Sequence, residues 1–124
     1  MVRVLLADDS DLILERLQQM LRLNPQVEIA GSFKDGLKTL EALKRLKPDL
    51  AIVDIKMPGL SGLEVLHEIR KEDRLLKFMI LTFYSSENYR KLAMSYGADY
   101  FFSKVDDFEK ISPVVNDLAK TLAL

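Results

Sequence analysis

Five short apolar runs, each followed by a longer stretch with helical spacing, constrain the fold of this chain more than any other feature of its sequence. The apolar runs cover residues 2–7, 27–29, 50–53, 78–81 and 100–102. The run at 50–53 contains no polar residue, which is typical of a central parallel strand covered on both faces. Strands that alternate with helices in this way form a parallel sheet with helices on both sides. The sequence therefore predicts a doubly wound α/β domain.

The stretches between the runs place apolar residues on one face of a helix. The predicted helices cover residues 11–23, 35–46, 61–71, 86–97 and a last segment that reaches residue 122. Ser61 and Glu64 form a capping-box pattern at the start of the third helix, and Gly97 suits the left-handed end of the fourth. We expect Asp106 to cap the last helix. In the second helix, Leu37 is one of the expected core positions.

Length and composition restrict the class of protein. The 124 residues contain no linker, repeat or low-complexity segment, which predicts one domain over residues 1–124. The 18 basic and 19 acidic residues nearly balance, so binding of nucleic acid by this domain alone is not expected. The absence of cysteine excludes disulfides and suits a reducing cytoplasm. The first apolar run is too short for a signal peptide or a membrane span, so we expect a cytoplasmic protein without membrane contact.

Polar residues follow the apolar runs at the positions where ligands bind in such folds. Asp8 and Asp9 follow the first run, and Asp54 follows the third. The fourth run leads into Thr82, and Lys104 comes shortly after the fifth. Because ligands of open α/β sheets bind outside the carboxyl ends of the strands, we expect three acids, one hydroxyl and one ammonium group to meet at one edge.

This set of groups predicts phosphoryl chemistry. Three neighbouring carboxylates repel one another, and an all-oxygen cluster suits Mg²⁺, for which Mn²⁺ can substitute. Asp54 is then a candidate nucleophile, since aspartyl carboxylates form acyl phosphates. Lys104 supplies positive charge for phosphoryl oxygens, and Thr82 supplies a hydroxyl. The turn Met57-Pro58-Gly59 can direct the carbonyl of Lys56 at the metal.

Taken together, these motifs resemble the receiver domain of two-component response regulators over essentially the whole chain. The motifs that carry the resemblance are Asp8-Asp9, Asp54 with Met57-Pro58-Gly59, Thr82, and Gly97-Ala98-Asp99 leading to Lys104. The resemblance implies a flavodoxin-like fold, a (βα)5 sandwich with strand order 2-1-3-4-5. It also implies a phosphoacceptor switch rather than an enzyme, at most phosphorylating itself from small donors and dephosphorylating itself.

Roles for individual residues are implied by the same resemblance. Asp54 matches the phosphoacceptor, and Thr82 and Lys104 match the pair that senses the phosphoryl group. The matches to the metal site are Asp9, Asp54 and the Lys56 carbonyl as direct Mg²⁺ ligands, with Asp8 acting through water. Phe101 matches the aromatic switch residue, which would rotate into space beneath the fourth helix.

The partners implied are a histidine kinase or a phosphotransfer protein upstream, and an output protein or a missing effector domain downstream. The output surface would be the face of the fourth helix, fifth strand and fifth helix, which could also form a homodimer.

Two departures from the family pattern lead to further expectations. Val105 follows Lys104 where the family commonly has proline after a cis bond; a cis bond without proline costs about 3–4 kcal/mol, so we expect a trans bond. Phe83 and Tyr84 follow Thr82 where the first residue is usually small. We expect these rings to shield an acyl phosphate and slow its hydrolysis.

Two alternatives remain open on the sequence alone. A receiver-like module could bind its partner without phosphorylation, and Phe83 and Val105 leave room for that. A Mg²⁺-dependent phosphatase or phosphotransferase is the other alternative, although such enzymes usually need a dedicated general acid or substrate-recognition insertions and every predicted loop is short.

Overall fold

The computed structural model describes residues 1–122. Within them, five strands form one parallel sheet in the order β2-β1-β3-β4-β5. The strands are β1 (Val2–Ala7), β2 (Val27–Phe33), β3 (Leu50–Val53), β4 (Lys77–Thr82) and β5 (Tyr100–Ser103). This order confirms the predicted flavodoxin-like fold. The second strand is longer than its apolar run, because its half-exposed edge position accepts polar residues.

Five α-helices connect or follow the strands within the same residues. They are α1 (Asp11–Leu21), α2 (Gly36–Leu46), α3 (Gly62–Ile69), α4 (Glu87–Ser95) and α5 (Ile111–Leu122). The capping box at Ser61 and Glu64 is confirmed, since each side chain accepts a hydrogen bond from the other's backbone N–H. Gly97 has φ +99°, the left-handed conformation expected after α4. Within the described part of the chain, no helix combines the length and the apolar composition that crossing a membrane requires.

The sheet separates two hydrophobic cores. α2, α3 and α4 pack on one face, and α1 and α5 pack on the other. Consecutive residues of a strand point to opposite faces, so Ala51 and Val53 of β3 enter the first core while Leu50 and Ile52 enter the second. Both faces of the central strands are therefore buried, which is why their sequences are continuously apolar.

Two expectations about helices are wrong. Leu37 is 54% exposed, because the buried face of α2 centres on Thr39 and Leu43, and Leu37 lies away from it. Asp106 does not cap α5. A short 3₁₀ turn at Phe108–Lys110 precedes that helix, and it is Asp107 whose carboxylate accepts a hydrogen bond, from Ser103 N at 2.8 Å.

Arg70 fixes the position of the turn between α4 and β5. Its guanidinium group donates to the Gly97 carbonyl from both Nε and Nη2, at 3.1 and 2.8 Å. Nη2 also lies 3.0 Å from Asp99 Oδ2. These bonds connect the turn after α4 to the end of α3. Within α4 itself, Ala93 is the one side chain that is fully buried.

Candidate functional site

Backbone hydrogen bonds continue the sheet past the strand ends and place the acidic residues side by side. Asp8 N donates to Phe33 O at 3.0 Å, and Asp54 N donates to Ala7 O at 2.9 Å. On the other side of the site, Lys104 N donates to Thr82 O at 2.9 Å. The main chain therefore holds these residues at the carboxyl edge of the sheet, where the sequence placed them.

Three carboxylates form a compact cluster at this edge. One oxygen each from Asp8, Asp9 and Asp54 lies within 4.8 Å of the others. Asp8 and Asp54 are buried, with 2% and 6% exposure, while Asp9 is exposed to solvent. Hard oxygen donors of this kind, open to water on one side, fit Mg²⁺, which keeps several of its waters when bound. The residues present are therefore able to hold the ion that the family pattern implies.

Lys104 is the counter-charge to the buried acids. Its ammonium nitrogen lies 2.7 Å from Asp8 Oδ2 and 3.0 Å from Asp54 Oδ2. Burial lowers the pKa of Lys104, but its hydrogen bonds to Asp8 and Asp54 outweigh burial, so the net shift is upward. Burial raises the pKa of Asp8, against the opposing effect of the bonds from Lys104 and from Ser10 N. Lys104 therefore remains a cation at neutral pH.

The backbone around Asp54 is closely packed. Asp54 Oδ1 accepts a hydrogen bond from Ile55 N at 2.7 Å, which leaves Oδ2 to Lys104. Gly62, at the start of α3, approaches the Asp54 carbonyl so closely that a Cβ there would lie 2.0 Å from its oxygen. The α3 terminus thus abuts the chain that carries Asp54.

The turn after Asp54 has the conformation expected of it. Gly59 adopts φ +76°, and the Pro58 carbonyl accepts a hydrogen bond from Gly36 N at 2.9 Å. The Lys56 side chain, just before the turn, is exposed to solvent.

Thr82 lies at the end of β4 and is fully buried. Its hydroxyl oxygen accepts a hydrogen bond from Tyr84 N at 3.0 Å. The structure thus brings Asp8, Asp54 and Lys104 into direct contact, whereas the Thr82 hydroxyl is engaged with the backbone of the loop that leads to α4.

Aromatic rings border the site on the side of β4. The Phe83 ring centroid lies 4.8 Å from Lys104 Nζ, and the Tyr84 ring centroid lies 5.1 Å from Lys56 Nζ. Both rings are largely exposed, at 61% and 47%. The peptide bond between Lys104 and Val105 is trans, which confirms that expectation.

Phe101, the predicted switch residue, is 2% exposed and belongs to the core on the α4 side of the sheet. The guanidinium carbon of Arg90, from α4, lies 4.9 Å from its ring centroid. The sequence analysis did not identify Arg90 or the Lys56 ammonium as parts of the site. No local pattern marks them, because both contacts form between segments distant in sequence.

The sequence profile described as "Response regulator receiver domain" matches residues 4–116. This chain belongs to the response regulator receiver family. Comparison with curated proteins gives no significant match.

Solved structures agree with this assignment. The receiver domain of the putative response regulator NarL from Mycobacterium tuberculosis is 31% identical, with 96% of each chain covered and a TM-score of 0.86. The response regulator domain of Thermotoga maritima CheB is 28% identical, covering 98% of this chain and 95% of that chain, with a TM-score of 0.84. A LuxR-family DNA-binding response regulator from Staphylococcus aureus is also 28% identical, with coverage of 96% and 99% and a TM-score of 0.86.

Membership of the family establishes the general role. Receiver domains act as switches in two-component signal transduction rather than as enzymes, they work with kinases and effector domains, and they bind Mg²⁺ at an acidic pocket. In this chain Asp8, Asp9 and Asp54 form an acidic cluster at the carboxyl edge of the sheet.

Proposed function

We propose that this receiver domain accepts a phosphoryl group on Asp54, in a Mg²⁺-dependent reaction, from a histidine kinase or a phosphotransfer protein. The observation that carries the proposal is the position of Asp54. Asp54 is 6% exposed within the acidic cluster, and its Oδ2 accepts a hydrogen bond from the buried ammonium group of Lys104 at 3.0 Å. A buried acid placed between other acids and one cation is typical of a functional site rather than of a structural ion pair.

The transfer breaks one bond and forms another. A carboxylate oxygen of Asp54 attacks the phosphorus of the donor's phosphohistidine, the P–N bond breaks, and the imidazole leaves with the electron pair. Asp9, Asp54 and the Lys56 carbonyl would hold Mg²⁺ directly, and Asp8 would hold it through water. The ion would supply positive charge that neutralises the carboxylates and the phosphoryl oxygens.

Lys104 and Thr82 are the groups that respond. The ammonium group of Lys104 already lies between Asp8 and Asp54, so it can pair with an oxygen of a phosphoryl group on Asp54 after a small movement. The Thr82 hydroxyl accepts a hydrogen bond from Tyr84 N and still has its own proton to donate to another phosphoryl oxygen. Movement of Thr82 toward that oxygen would change its bond with Tyr84 N in the loop that enters α4, which links the site to the α4–β5–α5 face.

The α4–β5–α5 face is then the surface for partners. Phosphorylation replaces the Asp54 carboxylate with a group of about −1.5 to −2 charge and shifts an existing equilibrium of this face rather than building a new fold. The partner is an output protein, an effector domain joined to this receiver, or a second copy that forms a homodimer. β5 is an edge strand flanked by α4 and α5, so a partner meets all three elements together.

Intact mass after incubation with acetyl phosphate tests the proposal. We expect one phosphoryl adduct on the wild-type protein with Mg²⁺, none in excess EDTA, and none with Asp54→Ala. Asp117→Asn, an exposed acid on α5, is the matched control and should give the wild-type adduct. Absence of any adduct, with several small donors and a candidate kinase, would favour a module that binds its partner without phosphorylation.

The number of turnovers distinguishes a receiver domain from the remaining alternative, a phosphatase or phosphotransferase. A receiver domain takes up about one phosphoryl group per molecule, whereas a phosphatase releases many equivalents of phosphate from an external phosphoester. Continuous release of phosphate that depends on Asp54 would therefore contradict the assignment as a switch.

A further inference from the structure

The ring of Phe101 is covered by a cation. Arg90 extends from α4 so that its guanidinium carbon lies 4.9 Å from the ring centroid. Beneath the guanidinium group the ring is 2% exposed and packs in the same core as Ala93 and Ala98. A guanidinium group at this distance from an aromatic face is attracted by the ring's quadrupole.

A carboxylate of the same helix lies near the guanidinium group: Glu87, one turn earlier on α4, has Oε2 4.0 Å from Arg90 Nε. The pKa of Asp107, in the loop after β5, is lowered mainly by the hydrogen bonds from Ser103 N and Lys110, with a smaller contribution from the charge of Arg90.

We propose that Arg90 is a positioning residue that holds the Phe101 ring in its buried position. The inference goes beyond the proposed function, which does not involve Phe101: it assigns to α4, through Arg90, the role of keeping this ring of β5 in the core.

Fluorine NMR of 4-fluorophenylalanine incorporated at position 101 alone tests this in unphosphorylated protein. The solvent isotope shift between H₂O and D₂O measures exposure of the ring. In the wild type the ring should be buried, so its resonance should show only a small isotope shift. Arg90→Gln should raise the exposed population about two- to fivefold, the factor for a cation–π contact at a partly exposed site, and Arg90→Lys should restore most of the burial.

A second arginine over a ring provides the matched control. The guanidinium carbon of Arg16 lies 4.2 Å from the centroid of the Phe108 ring. Arg16→Gln removes an equivalent charge and should leave the resonance at position 101 unchanged. An isotope shift at position 101 that is the same in Arg90→Gln as in the wild type would overturn the inference, as would an equal response to Arg16→Gln.

The two proposals fail separately. Exposure of the ring is measured without a phosphodonor, so it reports on Arg90 even if Asp54 accepts no phosphoryl group. A second spectrum after phosphorylation, with the adduct verified by mass, should show the ring still buried. A wild-type ring that is exposed before phosphorylation and buried after it would contradict the role of Arg90 while supporting phosphorylation at Asp54.

Discussion

The ammonium nitrogen of Lys104 lies 2.7 Å from a carboxylate oxygen of Asp8, and both side chains are almost fully buried. The same nitrogen lies 3.0 Å from Asp54. One cation therefore serves two buried acids, so the protein groups alone leave the acidic cluster with a net negative charge. An ion that enters the acidic cluster shares these carboxylates with Lys104.

Replacement of Lys104 by methionine should make the protein depend on Mg²⁺ for stability. Two buried carboxylates then lose their counter-charge, and loss of one partner of a buried ion pair costs about 3–5 kcal/mol. In EDTA the free energy of unfolding should fall by that amount. Addition of Mg²⁺ should then raise the free energy of unfolding more in Lys104→Met than in the wild type. Lys44→Met removes a half-exposed lysine 3.8 Å from Glu72 and serves as the control. Equal responses to Mg²⁺ in wild type and Lys104→Met would contradict the prediction.

Gly62→Ala should destabilise the protein strongly. The added Cβ would lie 2.0 Å from the Asp54 carbonyl oxygen, a backbone atom that cannot move aside alone. We expect a loss of about 1–3 kcal/mol, the usual cost of overpacking, measured by urea unfolding. At Gly31 the nearest atom to an added Cβ belongs to the Phe33 side chain, at 2.7 Å, which can rotate. Gly31→Ala should therefore lose less, and an equal loss in both variants would argue against this account.

Tyr84→Ala should shorten the lifetime of the acyl phosphate. The Tyr84 ring lies between the Lys56 ammonium, at 5.1 Å, and the Tyr89 ring, at 6.1 Å, so its removal opens a side of the site to water. Release of phosphate after removal of the donor should therefore be faster than in the wild type. Tyr96→Ala, at the far end of α4, should leave the rate unchanged. An unchanged lifetime in Tyr84→Ala would rule out shielding by this ring.

Asp107→Asn should lower stability at neutral pH but not in strong acid. The hydrogen bond from Ser103 N and the contact with Lys110 lower the pKa of Asp107 below its usual 3.8 in the folded protein. The stabilisation is therefore complete above pH 3.8 and disappears as the pH falls through the lower, folded-state pKa. We expect the free energy of unfolding to fall by about 1 kcal/mol at pH 7 and to be unchanged in strong acid. Urea unfolding at a series of pH values measures both. A pH-independent difference, or one matched by Asp117→Asn, would contradict it.

The sheet and the acidic edge were predictable because they depend on short-range patterns. The strand at Leu50–Val53 is buried on both faces, so its sequence admits no polar residue, and Asp54 directly after it marks the end. The acids follow β1 and β3, the hydroxyl ends β4 and the lysine follows β5. A parallel sheet therefore brings them to one edge. Ser61 and Glu64 were predictable for the same reason, since a capping box joins residues three apart.

The remaining features depend on packing between distant segments. Thr39 is fully buried because its hydroxyl donates to Asp35 O at 2.7 Å, which lets a polar residue occupy the core face that Leu37 was expected to share. The contact of Arg90 with Phe101 joins a helix to a strand, and no spacing rule within either element indicates it. Asp107 rather than Asp106 stands before the 3₁₀ turn that precedes α5, and its carboxylate bonds back to Ser103 N instead of capping the helix.

The shallow packing of α4 has a consequence for how such proteins diversify. Ala93 is its one fully buried side chain, so most substitutions on this helix remove little apolar contact and leave the sheet intact. After gene duplication, two copies can therefore acquire different residues on α4 while both still fold and keep the same acidic pocket. The helix that contributes least to the core is thus the part of the domain whose surface can change with the smallest loss of stability.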